Sequence, residues 1–182
     1  FTLLGLVGSA RYDSTDDLLN PTKGARVTFQ SAPAGSILGE RVAFWSNDLT
    51  ASTYVELLRD GRLVFATRGR LGSIVGAERD NIPATHRLYA GGGGSIRGFG
   101  FRDVGPIDPE GDPIGGRSVI ETSAELRFRF LGDYGLVPFV DGGQVFEAVI
   151  PDFSGEYRWS AGLGLRYFSP IGPVRLDVGF PL

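Results

Sequence analysis

Apolar and polar residues alternate along most of this chain, in stretches separated by turn signals. Residues 157–168 split most sharply: Tyr157, Trp159, Ala161, Leu163, Leu165 and Tyr167 oppose Arg158, Ser160, Gly162, Gly164 and Arg166. Residues 118–130 set Ile120, Thr122, Ala124, Leu126, Phe128 and Phe130 against Glu121, Ser123, Glu125, Arg127 and Arg129. Residues 25–31, 62–71, 136–146 and 173–179 alternate in the same way, and residues 2–12 do so loosely. Residues 40–58 read as one long strand, or as two broken near Asn47-Asp48. A period of two is that of a strand, whose successive side chains point to opposite faces.

Short turns are predicted at Asn20–Gly24, Arg59–Arg62, Leu131–Gly135 and Ser169–Gly172. The Asp60-Gly61 pair is a hairpin signal. Longer connections are predicted at 32–39, around Pro33 and Gly35, at 148–156 and at 73–116. The last holds much of the glycine and has little periodicity; a loop of that length in a compact domain is usually functional or disordered. About eight strands result, each of roughly 9–12 residues, near what a tilted strand needs to cross a bilayer. Strands of soluble sandwiches are shorter, about 5–6 residues. One face is apolar, with Tyr157 and Tyr167 bracketing one strand as interfacial residues do, and the other carries arginines and glutamates. The expected fold class is therefore all-β: a transmembrane antiparallel β-barrel.

Composition agrees. The 182 residues include 28 Gly, 13 Phe and 6 Tyr, with no Cys, no Met and one His. That suits an all-β chain of the periplasm or outer membrane, where stray thiols are a liability. A net charge of −3 argues against a nucleic-acid partner. No run approaches the ~18 apolar residues of a membrane helix, so a spanning chain must span as a barrel. Catalytic, metal and cofactor signals fail in turn. Gly91–Gly94 lacks the following Lys of a phosphate loop, and Asp108-Pro109-Glu110-Gly111-Asp112 lacks calcium-loop spacing. His86 has no cysteine to share a zinc, and no Gly-x-Ser-x-Gly is present. No catalytic residue, metal ligand or cofactor is assigned.

Two short segments carry the chemistry. Ser95-Ile96-Arg97-Gly98-Phe99 puts one arginine in the glycine-rich loop, and Phe139-Val140-Asp141-Gly142-Gly143 puts one carboxylate on a strand. Parity sets Asp141 with Phe139, opposite Leu136 and Val140, and sets Glu125 with Arg127 and Arg129. A guanidinium held against a carboxylate away from water gives two charge-assisted hydrogen bonds, so a latch between loop and wall is expected.

Four segments together resemble the Omp85 superfamily, most nearly its TamA-type translocation and assembly proteins. They are residues 91–100, 113–118, 137–143 and 162–177, in matching order and spacing. The resemblance implies a sixteen-stranded outer-membrane barrel whose sixth outer loop, here within 73–116, folds back into the lumen. In that likeness Arg97 is the tip arginine within Ser95–Phe99, and Glu125, Phe139, Asp141 and Gly143 are its partners on the lumen wall. The chain then corresponds to the C-terminal part of the barrel, strands eight to fifteen, with the POTRA domains and the last strand not among its residues.

The implied function is assembly or translocation of client proteins in the bacterial outer membrane. Membrane lipid, unfolded outer-membrane clients and an inner-membrane-anchored TamB-like protein are the implied partners. Alternatives within the likeness are a two-partner secretion pore, the anchor barrel of a patatin-like lipase, and a barrel serving lipid transport.

Overall fold

Nine strand segments build one antiparallel sheet in this computed structural model, which describes residues 2–38, 41–153, 155–169 and 172–182. They are β1 (Thr2–Gly5), β2 (Gly8–Asp13), β3 (Gly24–Leu38), β4 (Ala43–Leu58), β5 (Leu63–Val75), β6 (Ser118–Leu131), β7 (Tyr134–Phe146), β8 (Arg158–Ser169) and β9 (Gly172–Pro181). From β3 onward each strand pairs with the next in sequence. β1 and β2 both pair with β3, so nine segments fill eight positions. The break between them faces Pro33. The Leu6 N–H donates to the Pro33 carbonyl at 3.1 Å, and proline has no N–H to return, so the ladder is interrupted there.

Several expected boundaries move. Residues 32–38 are not a loop: Pro33 and Gly35 lie inside β3, paired with Trp45 and Ala43. The strand absorbs Pro33 because only the β1/β2 side asks it for an N–H. Residues 43–58 form one strand without a break at Asn47-Asp48. β5 continues to Val75, so the long connection runs from 76 to 117, and Tyr157 precedes β8 rather than belonging to it. The Asp-Gly turn stands as predicted, with φ of 62° at Asp60 and 64° at Gly61, the hairpin geometry that follows strand twist. Of the predicted turn at 169–172, Pro170 and Ile171 lie outside the described residues.

Register gives the two faces. Tyr54, Ala66, Glu125, Phe139, Gly162 and Gly179 follow one another across β4 to β9, and Ser52, Arg68, Ser123, Asp141 and Ser160 form the next row on the same face. The opposite face exposes Leu49, Phe65, Leu126, Val140, Leu163, Leu176 and Phe180, as a lipid-facing surface would. A continuous apolar surface of this kind is not stable against water.

The hydrophobic core lies between the sheet and the long connection, not between two sheets. Ile82, Leu88, Ala90, Ile96 and Val104 of the connection pack on Phe44, Ile74, Val119 and Val145 of the charged face. The connection is also tied to itself, through isolated bridges pairing Leu88 with Gly116, Ala90 with Val104 and Ile107 with Pro113. Residues 76–117 are therefore a folded plug on one face of the sheet.

Candidate functional site

The tip of this plug, residues 91–100, approaches the wall at the two rows just described. Ser95 closes the turn before it: its Oγ accepts the Gly91 N–H at 2.9 Å, and its own N–H donates to the Gly92 carbonyl at 3.0 Å. Ile96 is fully buried and lies over Gly143, where a Cβ would come within 2.7 Å of its side chain. Phe99 packs at the edge of the core. Gly98 has φ of +92° and lies on the Gly179-Phe180 backbone, at a distance where a Cβ would meet Gly179 C and Phe180 N at 3.0 Å. Both the dihedral and the approach require glycine.

Arg97 is thereby aimed along the wall. Its Nε and Nη2 donate to the two oxygens of Asp141 at 2.7 and 2.8 Å, and its main-chain N–H donates to Asp141 Oδ2 at 3.0 Å. Nη1 donates to Glu125 Oε1 at 2.7 Å. The guanidinium carbon sits 3.5 Å from the centroid of the Phe139 ring, a cation–π stack. Asp141 has no solvent exposure and also accepts the Ser123 hydroxyl at 2.6 Å. Such an ion pair adds modestly to net stability, but losing either partner strands a buried charge. The structure thus brings together Arg97, Glu125, Phe139 and Asp141.

The same neighbourhood holds residues that the sequence reading did not single out. Asp177 lies 3.4 Å from Arg97 Nη1 and is hydrogen-bonded to Arg166 Nη1. Arg127 pairs with the other oxygen of Glu125 at 2.9 Å. Arg68 of β5 grips the tip from the far side, donating to the carbonyls of Gly94 at 3.0 Å and Ser95 at 3.3 Å. It also meets buried Glu121, which Arg70 holds at 2.8 Å. Parity carried the signal for all of these, since each sits on the polar side of its strand.

Gly162 and Gly164 clear space for the neighbouring strand and for the wall residues: a Cβ on Gly162 would collide with the Val178 carbonyl and the Phe139 ring, and one on Gly164 with the Asp177 carboxylate. The direct approach of the loop is at Gly179. His86 packs edge-on to Phe44, with ring centroids 5.5 Å apart. Among the described residues no cluster of three or more His, Asp or Glu has metal-binding geometry.

Comparisons with known proteins meet this geometry at several levels. The profile of the Omp85 superfamily domain matches residues 1–182. The chain is 37% identical over 180 residues to the outer membrane protein assembly factor BamA of Nitratidesulfovibrio vulgaris, covering 93% of this chain and 22% of that protein. It is 28% identical over 212 residues to BamA of Neisseria meningitidis, covering 98% and 26%. A SAM50-like protein of Schizosaccharomyces pombe is 26% identical over 184 residues, covering 93% and 38%. The chain therefore spans well under half the length of these relatives. Among solved structures, that of BamA from Haemophilus ducreyi lacking POTRA domains 1–3 superposes with a TM-score of 0.81 at 23% identity, covering 98% of this chain and 38% of that one. That likeness establishes the fold, a segment of an antiparallel β-barrel. These relatives bear BamA and SAM50 names, so they support the superfamily and not a TamA-type closeness. With its whole length matched by the family profile, this chain belongs to the Omp85 superfamily.

Proposed function

We propose that this chain is the C-terminal part of the barrel of an outer-membrane protein assembly factor, and that residues 76–117 are its lumen-inserted loop. The carrying observation is the 37% identity to a BamA over 93% of the chain. In this reading the Arg97–Asp141–Glu125 cluster is the latch that fixes the loop to the lumen wall. It braces strands β6 to β9 while clients are added elsewhere on the barrel, by pairing of their strands with an exposed barrel edge. The partners are membrane lipid and unfolded outer-membrane clients. The finer TamA-type reading adds an inner-membrane-anchored TamB-like partner and rests on the four motif segments within residues 91–177.

Depletion of the full-length parent tests the function. Membrane insertion of client barrels, scored by heat-modifiable mobility, should fall before growth stops. If clients insert normally while export of an extended secreted substrate fails, the chain belongs to a secretion pore instead. Recovery of a TamB-like protein after in-cell crosslinking to the parent would support the finer reading, and its absence under conditions that capture clients would oppose it.

A further inference from the structure

One arginine in the latch region has a hydrogen-bonding group without a partner. Arg166 of β8 is 95% buried: 5% of its side chain is exposed, and among the described residues its Nη2 has no hydrogen-bond partner. Burying a guanidinium N–H unpaired is costly, so its surroundings bear on what it does. Nη1 is hydrogen-bonded to Asp177 Oδ1, while Nη2 stands 3.9 Å from Glu125 Oε1. That oxygen is the one occupied by Arg97 Nη1 at 2.7 Å, and Arg97 Nη1 also lies 3.4 Å from the other oxygen of Asp177. Arg97 and Arg166 therefore address the same two carboxylates. Arg97, delivered by the loop, holds Glu125; Arg166, fixed in the wall, holds Asp177 and falls just short of Glu125.

We propose that Arg166 is a standby cation that takes over Glu125 when the loop withdraws. This rests on the latch reading of Arg97. Departure of Arg97 vacates Glu125 Oε1 and removes a like charge from beside Arg166. A side-chain shift of little more than one ångström then lets Nη2 donate to the vacated oxygen while Nη1 stays on Asp177. A polar cavity of about 200 Å³ lies beside Arg97, lined by Arg68, Glu125, Arg127 and Asp177 among others. The bridge would tie β6 to β9 through Arg166 of β8, across β7, without help from the loop. Of the wall carboxylates, only Asp141 would lose its arginine, keeping the Ser123 hydroxyl. Arg166 is thus a positioning residue that makes the undocked state accessible, with two-state behaviour that a single docked geometry does not need.

The test is a double-mutant cycle in the full-length parent, read as the temperature at which the heat-modifiable folded band is lost. Arg97→Gln should lower that midpoint, because Arg166 replaces only part of what Arg97 held. Arg166→Gln alone should lower it little, since Arg97 can serve both Glu125 and Asp177. Arg97→Gln with Arg166→Gln should lower it by more than the sum of the single shifts, as interacting sites do. A sum or less overturns the standby role. If the double variant yields no folded band, Arg166→Lys carries the cycle. One ammonium replacing the two-ended guanidinium should still give more than additive loss with Arg97→Gln, whereas full rescue by Lys shows that charge alone suffices and overturns the bridge. A silent Arg97→Gln together with a silent double variant sinks the latch reading itself, a result distinct from additive loss.

Discussion

Gly98 and Gly179 lie backbone against backbone, the loop tip flat on β9. A Cβ built on Gly179 would stand 3.0 Å from Gly98 N and 3.1 Å from Arg97 C. This contact sets how deep the tip sits, and so whether Arg97 reaches Asp141. Gly179→Val should therefore undock the tip without touching any charged residue. Overpacking of about 1–3 kcal/mol should make trypsin cut after Arg102 about tenfold faster in the folded parent. Unchanged cleavage would mean that the tip is not seated against β9.

Asp141 is the carboxylate that the latch tolerates losing least. It takes three donors from Arg97 and one from Ser123, and no solvent reaches it. Asp141→Ala should destabilise the folded barrel by about 3–5 kcal/mol, the cost of leaving a buried charge unpaired. Glu125→Ala should cost less, because Arg97 keeps both oxygens of Asp141. Denaturant unfolding in detergent checks the order, and a larger loss at Glu125 would contradict it.

Arg68 makes a second, independent hold on the tip through main-chain carbonyls. Arg68→Ala should speed amide exchange across Gly93–Ile96 while leaving Glu121 paired with Arg70. Hydrogen bonds from a charged donor are worth about 1.5–3 kcal/mol when well sheltered. Arg68 is 36% exposed along its side chain, so an effect of about 1 kcal/mol is expected. No change in exchange would leave Arg97 as the sole anchor.

The connection between β2 and β3 should be robust to mild acid. Asp16 accepts the Thr22 hydroxyl at 2.6 Å and the N–H groups of Thr22 and Lys23 at 2.9 and 3.1 Å. The Thr22 hydroxyl does most to lower its pKa; desolvation opposes it, and the N–H groups of Lys23 and Thr22 lower it further, from 3.8 to about 2. A depressed acid pKa gives stability that is complete above 3.8 and is lost as pH falls toward about 2. Exchange at Thr22 and Lys23, corrected for intrinsic rates, should stay level from about pH 7 to 5 and rise below about pH 4. Loosening between pH 5 and 7 would contradict the assignment.

Most of the sheet was legible because lipid on one face and a polar interior on the other force a period of two. Where that pressure lapses, period no longer marks a strand. Pro33 and Gly35 look like a loop, yet Pro33 sits where β1 and β2 part, so its missing N–H costs β3 little. The plug core was illegible for a different reason. Ile82, Leu88, Ile96 and Val104 follow no strand or helix period, and their burial depends on wall residues far along the chain. Arg97, Glu125 and Asp141 could be named from motif and parity. Asp177 and Arg166 share that parity, but only the register, with Gly164 opposite Asp177, brings them to the latch.

Arg97 and Asp141 pin the loop, and on the function proposed above that pinning supports assembly. A charge-swap cycle in the full-length parent tests it most directly, with folded-band stability and client insertion measured for Arg97→Glu, Asp141→Arg and the pair. Each single swap should lose both. The pair should recover part of each, and only part, because Glu125 and Asp177 would then face a carboxylate at the tip. If Arg97→Glu leaves both measurements unchanged, the loop is not pinned through Arg97, and the Arg97–Asp141 pair is not a latch.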